Sequence, residues 1–131
     1  MDAHRPLKRK RATTRELGAA AERAVVAHLA AAGLEILGVN LRVGRLELDV
    51  VARDGVVVVV VEVRARSPGA RVKPLDTVDA RKRERVRRAG EALWLSRFAS
   101  DARVERMRFD LAAVELRAGA APRIEIVRAA F

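Results

Sequence analysis

No cysteine occurs in the 131 residues, which excludes disulfides and thiolate metal sites. Tyrosine is missing as well, and aromatic residues make up 3 % of the chain, so valine, alanine and leucine must build the core. No apolar run approaches the roughly 18 residues that a membrane-spanning helix needs. No signal-type apolar stretch follows the basic start. The valine run at 56–61 is only strand-length. There is no internal repeat, no Gly-rich phosphate loop and no nucleophile–histidine pair. A soluble, cytoplasmic protein without membrane contact is the expectation.

What is present points to a folded domain. Apolar residues reach 50 % and charged residues 34 %, a globular balance, and the length suits one domain with one core. The formal net charge is +10. Such an excess concerns partners more than fold, because it attracts polyanions, of which phosphate polymers are the commonest. A generally arginine-rich composition would also raise the charge. Clustering favours the functional reading: Arg5, Lys8, Arg9, Lys10, Arg11 and Arg15 crowd the start, and eight more Lys/Arg lie from Arg71 to Arg88.

Residues 1–12 read as a basic, flexible arm, and 13–131 as a single domain. Thr13 and Glu16 have capping-box spacing, and Gly33 supplies a stop, so a helix is expected between them. Its apolar stripe is Leu17, Ala21, Ala24, Val25, Leu29 and Ala32. A strand over 34–43 follows. Arg45–Arg53 and Val56–Arg66 are β-rich runs joined by Asp54-Gly55, a strong hairpin signal. Pro68, Gly69 and Pro74 mark a loop. A helix is expected from Thr77 to Phe98 with Val86, Ala89 and Leu93 inward, then strands over 106–116 and 123–128. The order α-β-β-β-α-β-β predicts an α/β layered fold with a five-stranded mixed sheet flanked by helices.

The hairpin carries the chemistry. A two-residue turn at Asp54-Gly55 sets Arg53 opposite Val56, Asp49 opposite Val60 and Glu47 opposite Glu62. Alternation then assigns Leu46, Leu48, Val50, Val57, Val59, Val61 and Val63 to a core face. The other face collects Arg45, Glu47, Asp49, Val60, Glu62 and Arg64, with Asp49 and Glu62 as diagonal neighbours. Carboxylates so close repel unless compensated. Arg45 and Arg64 could compensate in a salt-bridged polar face; a bound Mg²⁺ or Mn²⁺ is the functional alternative, since hard cations take carboxylate oxygens. Glu22 adds a third carboxylate bordering the buried helix stripe, one turn after Gly18, where it could equally pair with an arginine.

Gly18, Glu22 and Ala24, then Gly33, Asn40 and Arg42, Glu47-Leu48-Asp49-Val50-Val51-Ala52 and Val61-Glu62-Val63-Arg64 with Arg66 resemble successive blocks of the YraN-like bacterial proteins. The likeness continues through Lys82, Val86, Ala89 and Leu93, the run Arg108-Phe109-Asp110, and the closing Ala130-Phe131. This resemblance implies a restriction-endonuclease-like fold, related to archaeal Holliday-junction resolvases, and a PD-(D/E)xK site. Asp49 then matches the metal-binding aspartate, Glu62 the acidic residue of the next strand, and Glu22 the helix glutamate, all three toward Mg²⁺ or Mn²⁺. A homodimer is a further implication.

Two positions depart from that pattern. Leu46 stands where glycine usually precedes Glu-x-Asp, and Arg64 replaces the motif lysine. Arginine keeps the charge but cannot act as a general base, although it can hold a phosphate bidentately. Lys82, on the inward stripe of the second helix, either snorkels outward or reaches the carboxylates and shares the role Arg64 fills imperfectly.

Lys73, Arg81, Arg85, Arg88, Arg66 and Lys82 are the expected nucleic-acid contacts, with a solvated helix face as the plainer reading. Asp110 reads as structural, paired to an arginine. Trp94 is core, a dimer contact or a base-stacking group, and His4 and His28 lack metal-ligand spacing. Three functions remain: a metal-dependent nuclease on DNA, perhaps branched or single-stranded in form; a catalytically impaired nucleic-acid-binding module; or a basic module docking an acidic protein.

Overall fold

The computed structural model describes residues 12–131, so all but the last residue of the basic arm lies outside it. Thr13 caps helix α1 (Thr14–Ala31) through the capping box with Glu16. Strand β1 (Glu35–Val43) leads into the hairpin of β2 (Leu46–Asp54) and β3 (Val57–Arg66). Helix α2 (Ala80–Leu93) and strands β4 (Arg106–Glu115) and β5 (Arg123–Val127) complete the order expected. Among the described residues no helix is long and apolar enough to cross a membrane.

The sheet runs β1-β2-β3-β4-β5. Neighbours are antiparallel except β3 and β4, whose parallel pairing needs the crossover through α2. A central strand covered on both faces should be apolar throughout rather than alternating. The valine run meets that condition: Val57 through Val61 are all buried. Odd-numbered valines pack under α1 with Ala21, Val25 and Leu29, while Val58 and Val60 pack under α2 with Val86, Ala89 and Leu93.

The second helix departs from expectation. Asp79 accepts the Lys82 N–H and starts α2 at Ala80, three residues later than Thr77; Pro74–Thr77 forms a separate 3₁₀ turn. Beyond Leu93 the helix widens into a π turn over Trp94–Phe98. Trp94 packs in the α2 cluster with its ring 6.2 Å from that of Phe98, so it belongs to the core. Asp110 is structural, as read: buried, it takes both Nε and Nη2 of Arg108 and the N–H of Ala129. This pins the final segment, whose Phe131 ring lies 6.0 Å from Phe109.

Candidate active site

The hairpin register differs from the one a turn at Asp54-Gly55 would set. Asp54 pairs with Val57, so Gly55 and Val56 form the loop, with Gly55 at φ +58° in the left-handed region that favours glycine. Pairing continues to Val50 and Val61. Asp49 and Glu62 are the residues just beyond that last registered pair, one on each strand.

Side-chain alternation also breaks here. Leu46 and Leu48 pack with Val51 under α2, whereas Val50 and Ala52 pack under α1. Neither Asp49 nor Asn40 on β1 has a registered partner, and Asn40 takes a left-handed φ of 50°, which asparagine tolerates better than most residues. The expected single core face and single polar face are therefore corrected: both faces are core, and Glu47, Asp49, Glu62 and Arg64 lie toward the end of the hairpin away from its loop.

At that end Asp49 is half-buried and its Oδ2 accepts the Val63 N–H at 2.9 Å. Glu62 is only 3 % exposed, a costly place for a lone carboxylate. Burial first, then the charge of Asp49 and a hydrogen bond with its carboxyl, push Glu62 up to about 7. Two cations pull the other way: Lys82 Nζ lies 3.5 Å and Arg64 Nη2 3.8 Å from Glu62 Oε1. Glu22, on α1, lies within electrostatic range of Asp49 and Glu47. Burial raises its pKa, a hydrogen bond from Asn40 lowers it, and the charges of Asp49 and Glu47 raise it again.

A pocket of about 250 Å³ opens beside Asp49 and Lys82, lined also by Arg45, Leu46, Glu47, Arg85 and Val86, while Arg64 and Glu22 line separate hollows. A larger hollow of about 530 Å³, lined by Glu91, Trp94, Leu95, Glu105, Arg106, Met107 and Phe109, lies by the first residues of β4, away from Asp49 and Glu62. The smaller pocket holds the chemistry.

The expected residues thus separate into two groups. Asp49, Glu62, Arg64, Lys82 and Arg85 come together, with Glu22 within electrostatic range. Arg66 is turned away, its Nη2 3.0 Å from Glu125 on β5. Arg88 is exposed and paired to Glu84 one turn back on α2; Lys73 and Arg81 are exposed. Arg45, read only as a compensating charge, lines the pocket, and Asn40, named above among the family blocks, lies beside Glu22. The Asn40 signal was its tolerance of left-handed backbone.

Among the described residues no three carboxylates or imidazoles gather tightly enough to cage a metal ion. The Asp49–Glu62 pair nonetheless fits Mg²⁺ or Mn²⁺, because Mg²⁺ is ordinarily held by one or two carboxylates, with water and substrate phosphate as the remaining ligands.

Comparison with known proteins gives the family of the chain. The profile described as "Uncharacterised protein family UPF0102" matches residues 21–114, from the buried face of α1 to the end of the β4 core. The chain belongs to that family. A UPF0102 protein of Sorangium cellulosum is 59 % identical over 117 residues, 89 % of this chain and 81 % of that protein. Another, from Pseudomonas paraeruginosa, is 41 % identical over 122 residues, 92 % of this chain and 96 % of its own. A third, from Acidothermus cellulolyticus, is 39 % identical over 130 residues. The YraN-like resemblance read from the sequence blocks is this family.

Proposed function

We propose that this chain is a metal-dependent nuclease that hydrolyses phosphodiesters in DNA. The observation that carries this reading is half-buried Asp49 beside buried Glu62, with Lys82 and Arg64 near Glu62 and a pocket lined by Asp49, Lys82, Arg45 and Arg85. The restriction-endonuclease-like resemblance of the same residues supports it.

Asp49 and Glu62 would hold a Mg²⁺ or Mn²⁺ ion, with Glu22 reaching it through water. Such an ion, when bound, lowers the pKa of a coordinated water and offsets charge on a phosphate. The chain's own part is placement. The Val63 amide fixes the Asp49 carboxylate, and Asn40 beside Glu22 holds its pKa down against burial. Lys82, Arg85 and Arg45 offer donors to phosphate oxygens from one side of the pocket, and Arg64 from beside Glu62. Arg64 supplies charge and hydrogen bonds and accepts no proton. No base-reading motif is present, so backbone and shape would guide recognition.

A second reading follows from Arg64 itself: a module of the same fold that binds nucleic acid without cutting it. A Mg²⁺/Mn²⁺ cleavage assay on branched, flapped and single-stranded DNA separates the two, comparing wild type with Asp49→Ala, Glu62→Ala and Arg64→Lys. Cutting by wild type that both alanine variants abolish is the expected result. DNA binding with no cutting in wild type, and cutting restored by Arg64→Lys, would replace the nuclease by a lapsed enzyme.

A further inference from the structure

The oxygens that the carboxylate pair has left to offer limit what it can hold. Asp49 Oδ2 is committed to the Val63 N–H at 2.9 Å. Glu62 Oε1 faces Lys82 Nζ at 3.5 Å and Arg64 Nη2 at 3.8 Å. Among the described residues, Asp49 Oδ1 and Glu62 Oε2 receive no N–H. Once an ion displaces the proton that Glu62 shares with Asp49, each carboxylate therefore presents one oxygen that faces no N–H or cation. Two oxygens with water and phosphate suffice for one octahedral ion. Two ions about 4 Å apart need carboxylates whose second oxygens are also open.

Lys82 is held where it stands. Its N–H bonds Asp79 Oδ1 at the helix cap, it lies one turn before the buried Val86, and its side chain is only 34 % exposed. The position on Glu62 that a second cation would use is thus taken by a cation on a fixed helix.

We propose that the Asp49–Glu62 pair takes a single divalent ion, with Lys82 serving as the resident cation that keeps a second ion from Glu62. The inference rests on the metal-binding reading above and adds the number of ions and the residue that sets it. Lys82 then acts on the ion through Glu62, as a positioning residue. As a like charge it also weakens binding of the one ion that the pair accepts.

The test is titration of the full-length protein with Mn²⁺, followed by calorimetry and by the electron paramagnetic resonance of bound Mn²⁺, with no nucleic acid present. One Mn²⁺ per chain is expected in wild type, lost in Asp49→Asn. Lys82→Met, which keeps the apolar stem, should bind Mn²⁺ roughly tenfold more tightly at low salt. Lys82→Gln should move affinity the same way, which guards against a packing artefact of the methionine. Circular dichroism confirms that each variant is folded. Two dipolar-coupled Mn²⁺ ions per wild-type chain, both lost in Asp49→Asn, would overturn the single-ion inference and leave the metal site standing. Unchanged or weaker binding in both Lys82 variants would overturn the role of Lys82. Mn²⁺ binding that Asp49→Asn does not alter would remove the metal site itself.

Discussion

The Asp49 carboxylate bonds the backbone N–H of Val63 at 2.9 Å, just past the last paired residues of the hairpin, Val50 and Val61. A side chain has taken over where the backbone ladder stops, and this fixes how the carboxylate faces the pocket. Removing it should have two separable effects. Asp49→Ala orphans a part-buried N–H and should cost about 1–3 kcal/mol by urea denaturation. Asp49→Asn keeps an acceptor for Val63 and should be at least as stable as wild type. Both should lose metal-dependent cleavage by roughly a hundredfold or more, as loss of a metal ligand predicts. Equal stability of the two variants would mean the Val63 bond contributes nothing.

Glu62 makes the metal-free protein less stable as pH rises. Its pKa is raised, from an ordinary 4.5 to about 7, by burial and by Asp49. The folded state therefore binds this proton more tightly than the unfolded state. Its stabilising contribution is complete below about 4.5 and is lost as pH climbs through about 7. The loss should reach up to about 3 kcal/mol, since one pKa unit corresponds to about 1.4 kcal/mol. Urea midpoints at pH 5 and pH 8 measure it, and Glu62→Gln should flatten the difference. Added Mg²⁺ should stabilise wild type more at pH 8 than at pH 5, because ion and proton compete for the same carboxylate.

Arg85 and Arg66 should differ in nucleic-acid binding. Arg85 is exposed at the pocket rim, whereas Arg66 is committed to Glu125 at 3.0 Å. In anisotropy titrations against salt, Arg85→Ala should weaken DNA binding and reduce the slope of log K against log salt by about 1. Arg66→Ala should leave that slope unchanged. A slope unaffected by Arg85→Ala would move the phosphate path away from this side of α2.

Gly90 is where α2 approaches β4 most closely. A Cβ there would lie 2.5 Å from Cε1 and Cζ of Phe109, whose ring is buried and flanked by Phe131. Overpacking of this kind costs about 1–3 kcal/mol, more than the roughly 1 kcal/mol that alanine gains over glycine within a helix. Gly90→Ala should therefore lower the melting temperature despite the better helix former. A rise would show that Phe109 yields without cost.

Much of the architecture was legible in local chemistry. The capping box at Thr13 and Glu16, the glycine of the hairpin loop and the unbroken valines of β3 act through short-range backbone preference and the need to bury an apolar strand on both faces. The residue types of the candidate site were legible too, since Asp49, Glu62, Arg64 and Lys82 sit in recognisable blocks. Their mutual arrangement was less so. The loop lay one position further on than the Asp54-Gly55 pair suggested, which shifted the hairpin register, and strict alternation hid the switch of faces at Asp49. The boundary of α2 shifted because the Asp79 carboxylate caps the first turn, whereas the Thr77 hydroxyl donates to the Pro74 carbonyl.

By itself, then, the sequence determined the order of elements, the aliphatic two-sided core and the presence of carboxylates beside a cationic helix, because propensity, capping and burial are local or nearly so. The tertiary structure decided which charges meet. Lys82 and Glu62 are twenty positions apart on different elements, and their 3.5 Å contact exists because α2 packs across the buried face of β3. Arg66, two residues from Arg64, is drawn instead to β5. Periodicity along a strand assigns a side chain to a face; only the packing of helices and edge strands around that strand selects its partner.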